Sequence, residues 1–141
     1  MYLTYEAYVE MGGTLSASDF NFYAYEAESY IDWYTFNRLK KYSEIPQEVL
    51  DCEFYLIRLV QSRLNALGIG VDDSSDNDNK ALGRIMSRSN DGVSESYMSL
   101  SASDAIKSMS DEIGSVIKRR LQGVANELGQ KLLYRGLYPG E

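Results

Sequence analysis

The chain has 141 residues, 44% of them apolar, which is enough for one domain with a buried core. Its net charge of -7 argues against a general nucleic-acid binder, because holding phosphates takes clustered Lys and Arg. It has no His and a single Cys. A Ser-His-Asp arrangement, an internal disulfide and a zinc site of several thiolates are therefore excluded.

Twelve tyrosines are many for this length. Tyr buries a ring and keeps a hydroxyl for water or a partner, so it suits both the rim of a core and an interface. The opening residues, Met1-Tyr-Leu-Thr-Tyr-Glu6, show no basic stretch ahead of an apolar run. The longest strongly apolar run, Phe54 to Ile57, is cut by Arg58. The expectation is a chain made and kept in a cytoplasm, with no secretory leader and no membrane span.

Thr4 to Met11 reads as a short helix. Thr4 caps it, Glu6 sits in the favourable first turn, and Gly12-Gly13 end it. The next stretch, Asp19 to Phe36, is predicted to be a long helix capped by Ser18, and it carries two apolar stripes. Phe20, Tyr23, Ala24, Ala27, Tyr30, Ile31 and Tyr34 recur at steps of three and four and share one side. Phe22, Tyr25, Ser29, Trp33 and Phe36 recur the same way on the reverse side, with Glu26, Glu28 and Asp32 between the stripes. A surface helix needs one apolar side. The second side needs a second cover, either more of this chain or another subunit, and few other helices are available to supply it.

Pro46 suits the start of a second long helix, with Lys40-Lys41 in the connection before it. Val49, Leu50, Leu56, Ile57, Val60, Leu64 and Leu67 make its stripe, and Gly68 closes it. Cys52 is then a small core residue and not a nucleophile. Glu53 falls inside the stripe, so it needs a partner: an internal salt bridge or an Arg of a neighbour.

Residues 68–100 read as a long loop with a β-hairpin. The acidic run Asp72 to Asn79 fails as a calcium loop, because the sixth and twelfth places hold neither the Gly nor the Glu required. Asn90-Asp91-Gly92 signals a tight turn over 85–98. That register pairs Arg88 with Glu95 and Met86 with Tyr97. Ser101 or Ser103 caps the third long helix, whose stripe is Ala102, Ile106, Met109, Ile113, Val116, Ile117 and Leu121. Its last turn, Lys118-Arg119-Arg120, reads as dipole partners and solvated charge. After Gly123, residues 124–141 form an extended tail with an apolar segment, Leu132, Leu133, Tyr134, Arg135, Gly136, Leu137 and Tyr138. It docks either on its own core or on a partner.

The expected fold is mostly α. It is a small bundle of three long helices plus a short N-terminal helix, in one domain over 1–141. No glycine-rich phosphate loop appears, and no set of residues spells an active site, a metal site or a cofactor site. The expectation is a non-enzymatic component of an assembly.

Several segments, taken in order, resemble a known family. They are Met1-Tyr-Leu-Thr-Tyr-Glu6, Gly12-Gly-Thr-Leu-Ser16 with Asp19-Phe20, Tyr34-Thr-Phe-Asn-Arg-Leu39, Ile45-Pro46, Ser89-Asn-Asp-Gly-Val-Ser94 with Tyr97, and Leu132-Leu-Tyr-Arg-Gly136. The set is similar to the head–tail connector (adaptor) proteins of tailed bacteriophages, in the form common in phages and prophages of Gram-positive bacteria. It covers nearly the whole chain apart from the acidic 72–79 insert and the last three residues.

The resemblance implies a mostly helical subunit of a dodecameric ring. The ring binds beneath the portal protein, meets the next neck protein, and lets DNA pass without sequence-specific binding. It implies no catalysis, no cofactor and no membrane, and a place in the virion neck. Candidate interface residues are Phe22, Tyr25, Trp33 and Phe36 on the helix, Arg88, Asn90, Asp91, Gly92, Glu95 and Tyr97 on the hairpin, and Leu132, Leu133, Tyr134 and Arg135 on the tail. The alternative is a small helical phage DNA-binding protein, of terminase small-subunit or regulator type, acting through Lys118-Arg119-Arg120.

Overall fold

The computed structural model describes residues 1–68 and 102–139. The hairpin over 85–98, the acidic run 72–79 and Ser101 lie outside the described residues. Among the described residues four α-helices follow in chain order: α1 Tyr5–Glu10, α2 Ala17–Thr35, α3 Gln47–Ala66 and α4 Ala102–Leu121. A 3₁₀ turn, Arg38–Lys41, links α2 to the approach of α3. The three long helices pack on one another around a shared core, and α1 lies across α2. Among the described residues there is no β-strand, only an isolated antiparallel bridge between Ala125 and Lys131. The mostly helical bundle read from the sequence is thus observed.

Each helix begins where its chemistry allows. Thr4 caps α1 by accepting from the Ala7 amide at 3.2 Å. The cap of α2 is Ser16 and not Ser18. Ser16 Oγ accepts from the Asp19 amide at 3.2 Å and donates to Asp19 Oδ2 at 2.7 Å. That reciprocal pair needs a three-residue spacing, which Ser16 has and Ser18 lacks. The helix therefore starts at Ala17, two residues earlier than expected. Ser103 likewise sits inside α4 and does not cap it.

The first stripe of α2 is the centre of the core. Phe20, Tyr23, Ala24, Ala27 and Ile31 are buried, with Tyr30 and Tyr34 half-buried at its edge. On α3 the buried residues are Val49, Cys52, Leu56, Ile57 and Val60, and on α4 they are Met109, Ile113, Val116, Ile117 and Leu121. Each large side chain so buried contributes about 1.5–3 kcal/mol. Burial pushes the Cys52 thiol up to about 12, which leaves it unreactive as expected. Ile106, predicted on the stripe of α4, is exposed at the described start of that helix.

Tyr8 joins α1 to this core, with its ring centroid 4.9 Å from Phe20 and 5.5 Å from Phe54. Two glycines permit close approaches of rings. A Cβ at Gly13 would overlap the Tyr8 ring, and one at Gly114 would overlap the Tyr34 hydroxyl. In an ordinary helix Gly→Ala stabilises by about 1 kcal/mol. Here Gly114→Ala is expected instead to cost about 1–3 kcal/mol of unfolding free energy, read from chemical denaturation, because Tyr34 is displaced.

Glu53 departs from the internal salt-bridge reading. It is fully buried, and it pairs with no cation among the described residues. Its Oε2 accepts from the Leu3 amide at 2.8 Å, and Oε1 has no partner. The same N-terminal segment is held by Glu28, 3.0 Å from the Met1 amino group, and by Asp32, which accepts from the Tyr2 hydroxyl. Burial raises the Glu53 pKa to about 8; the Leu3 amide and the amino group oppose the rise, while Glu28 and Asp32 add to it. The folded state then holds a proton that the unfolded chain releases near the ordinary carboxylate range. Stability is full below that range, falls as pH rises toward 8, and levels off above it. The slope reaches at most about 1.4 kcal/mol per pH unit. Glu53→Gln mimics the protonated form. It is expected to raise stability at pH 8–9 and to flatten the profile, as measured by denaturant midpoints across pH.

Candidate interaction surface

The second stripe of α2 is bare. Trp33 is 77% exposed, Tyr25 70%, Phe36 49% and Phe22 42%. These positions fall within one narrow sector of the helix and run about 21 Å along it. With about 150–250 Å² per aromatic side chain, their exposed parts amount to something on the order of 450 Å². That lies in the size range of the largest patches found on single soluble subunits, which often mark binding surfaces.

The patch deepens at the C-terminal end of α2. Here Trp33, Tyr34, Phe36, Asn37, Lys118, Leu133 and Arg135 line an open cleft of about 680 Å³. The cleft is mainly apolar, and no carboxylate lines it. Its two cations, Lys118 and Arg135, are both exposed and make no ion pair among the described residues. Lys118 stands 5.6 Å over the Tyr34 ring, and Arg120 stands 4.5 Å over the Tyr55 ring. These cation–π contacts add a role to the helix-dipole and solvated-charge reading of that last turn.

Two consecutive residues shape the floor. Phe36 and Asn37 adopt the left-handed conformation, with φ of 55° and 57°. A bulky residue there is uncommon and costs on the order of 1 kcal/mol or more. The reversal ends α2 and delivers Arg38 to the interior.

Arg38 carries no role of its own in the sequence reading, and it organises the tail. It is 7% exposed, and its guanidinium donates to three carbonyls of the chain's last segment. They are Leu132 O at 3.0 Å, Tyr134 O, and Gly136 O at 2.6 Å. The rings of Phe36 and Tyr138 flank it at 5.2 and 4.9 Å. A planar five-donor group suits such a cage of carbonyls. The tail therefore docks on its own subunit, the first of the two options open from the sequence. Leu132 is fully buried in the core and so is no interface residue of the folded subunit. Leu133 is half-buried at the cleft, while Tyr134 and Arg135 remain exposed. The hairpin candidates Arg88, Asn90, Asp91, Gly92, Glu95 and Tyr97 lie outside the described residues.

A second cleft, about 480 Å³, lies between the 41–47 connection and the 125–128 turn. Among the described residues no group of His, Cys, Asp and Glu could hold a metal ion. No helix among them is long and apolar enough to cross a membrane. No protein-family model matches the chain, and comparison with curated proteins and with solved structures returns no match.

Removing the guanidinium should free the tail. Arg38→Ala is expected to lower stability by about 2–4 kcal/mol. Limited proteolysis should then cut within 131–139 before the helices are attacked, whereas the native chain resists there.

Proposed function

We propose that this chain is a structural head–tail connector of a tailed bacteriophage. In this reading it docks as a ring on the portal protein, joins the capsid vertex to the next neck protein, and lines the channel through which DNA leaves. One observation carries the reading. A helix at the centre of the fold shows a second aromatic stripe to solvent, although every long helix of the described chain is already packed. A subunit that meets identical subunits edge to edge would cover that stripe, and a heterologous contact of this kind gives a ring when the rotation between copies closes. The ordered set of connector-like segments adds the phage context. The net charge of -7 suits a passage that DNA traverses without sticking.

The work assigned to the chain is contact, not catalysis, and it needs no cofactor. The DNA-binding alternative rests on Lys118, Arg119 and Arg120. Two of these three cations already lie over tyrosine rings of their own subunit, which weakens that alternative. Assembly is placed in the host cytoplasm and the finished ring in the virion neck.

Light scattering after size exclusion, with and without the portal protein of the same phage, tests the proposal. The native chain is expected to form a ring-sized species, at the latest when portal is added. Trp33→Ala with Tyr25→Ala should reduce that species at least ten-fold while changing unfolding free energy by less than about 1 kcal/mol, because both side chains are surface groups. A native chain that stays a single subunit in both conditions, or a double variant that assembles fully, would contradict it.

A further inference from the structure

We propose that the cleft beside Trp33 receives the outward face of α1 from a second copy of this chain. This names the two surfaces of the ring contact, and so rests on the connector reading above. The cleft offers an aromatic wall with two cations, Lys118 and Arg135, and lacks any carboxylate. In a chain of net charge -7, such a site calls for an acidic partner with an apolar group between its charges.

The fold presents that partner on α1. Glu6, Val9 and Glu10 stand three and four residues apart and therefore share one face. All three are exposed, Val9 at 48%. Neither glutamate has an ion pair among the described residues. The opposite face of α1 is spent on the core through Tyr8, so the Glu6–Val9–Glu10 face is free to meet another molecule. Val9 matches the apolar wall of the cleft, and the two carboxylates match its two cations.

The positions of the two surfaces decide how copies join. Tyr5 and Tyr8 hold α1 against Phe20, near the start of α2. The cleft lies at Trp33 and Phe36, near its end. Thirteen residues of helix separate Phe20 from Trp33, about 20 Å along the axis. One subunit cannot bring its own α1 face to its own cleft. Each copy instead gives α1 to one neighbour and its cleft to the other. Such a head-to-tail contact generates a ring when the rotation between copies closes.

Charge reversal tests the contact. Lys118→Glu with Arg135→Glu, and separately Glu6→Lys with Glu10→Lys, should each weaken self-association at least ten-fold in sedimentation velocity. A chain carrying all four changes should recover it, since the charges are complementary again. Circular dichroism and the melting midpoint check that each variant is folded. A second measurement mixes two single-site variants, Val9→Cys and Trp33→Cys, under mild oxidation. Cys52 is buried and does not compete. The mixed disulfide should form well ahead of either self-disulfide. Assemblies that persist after either reversal, a four-fold variant that fails to recover, or no excess of the mixed disulfide would overturn this contact and leave the ring itself standing. A native chain that stays single alone and with portal would overturn both.

Discussion

The structure depends on α2 having two unlike sides. One side is the core: Phe20, Tyr23, Ala24, Ala27 and Ile31 are sealed between α3 and α4, and α1 is fastened to Phe20. The other side leaves Phe22, Tyr25, Trp33 and Phe36 facing water. A helix can be this apolar on both sides and remain in a stable subunit only because the first side alone builds the core. Everything attached to the ends of α2 then shapes the second side. The left-handed reversal at Phe36 and Asn37 turns the chain inward, Arg38 gathers the tail, and the tail brings Leu133 and Arg135 to the edge of the aromatic stripe.

Two polar devices hold the chain termini against the bundle. Glu53, Glu28 and Asp32 fix the first three residues. Arg38 fixes carbonyls more than ninety positions away. Both are buried polar groups whose loss leaves unpaired atoms in a dry site, so both are costly to disturb. They differ in charge. The Arg38 cage keeps a full cation with several acceptors, while Glu53 has one donor and one orphaned oxygen and holds its proton instead. By contrast the exposed Arg63–Glu112 pair, 2.5 Å apart between α3 and α4, adds little.

What was legible in the sequence was whatever repeats at helical spacing. Both stripes of α2, the stripe of α3 with Pro46 before it and Gly68 after it, and most of the stripe of α4 follow from period alone. The cover of the second stripe stayed open between more of this chain and another subunit, and the structure leaves that stripe bare. Contacts between distant positions were not legible. Arg38 meets carbonyls, which every residue carries, so no side-chain pattern marks its partners. Glu53 stood out as a charge within an apolar stripe, but its partner is a backbone amide and not an opposite charge. The choice of Ser16 over Ser18 turned on a three-residue spacing to Asp19 that the sequence does contain. The cleft could not be seen in the letters, because Trp33, Lys118 and Arg135 come from three separate segments.

Trp33 is the one tryptophan in the chain, so its fluorescence reports the second side of α2 without a label. In dilute native protein it should emit as a water-exposed indole and be quenched freely by acrylamide. On assembly, by concentration or by added portal, the emission should shift to the blue and quenching should fall. A tryptophan already shielded in the single subunit, or one that stays fully quenchable in the assembled ring, would contradict the claim that this surface is built to be covered by another subunit.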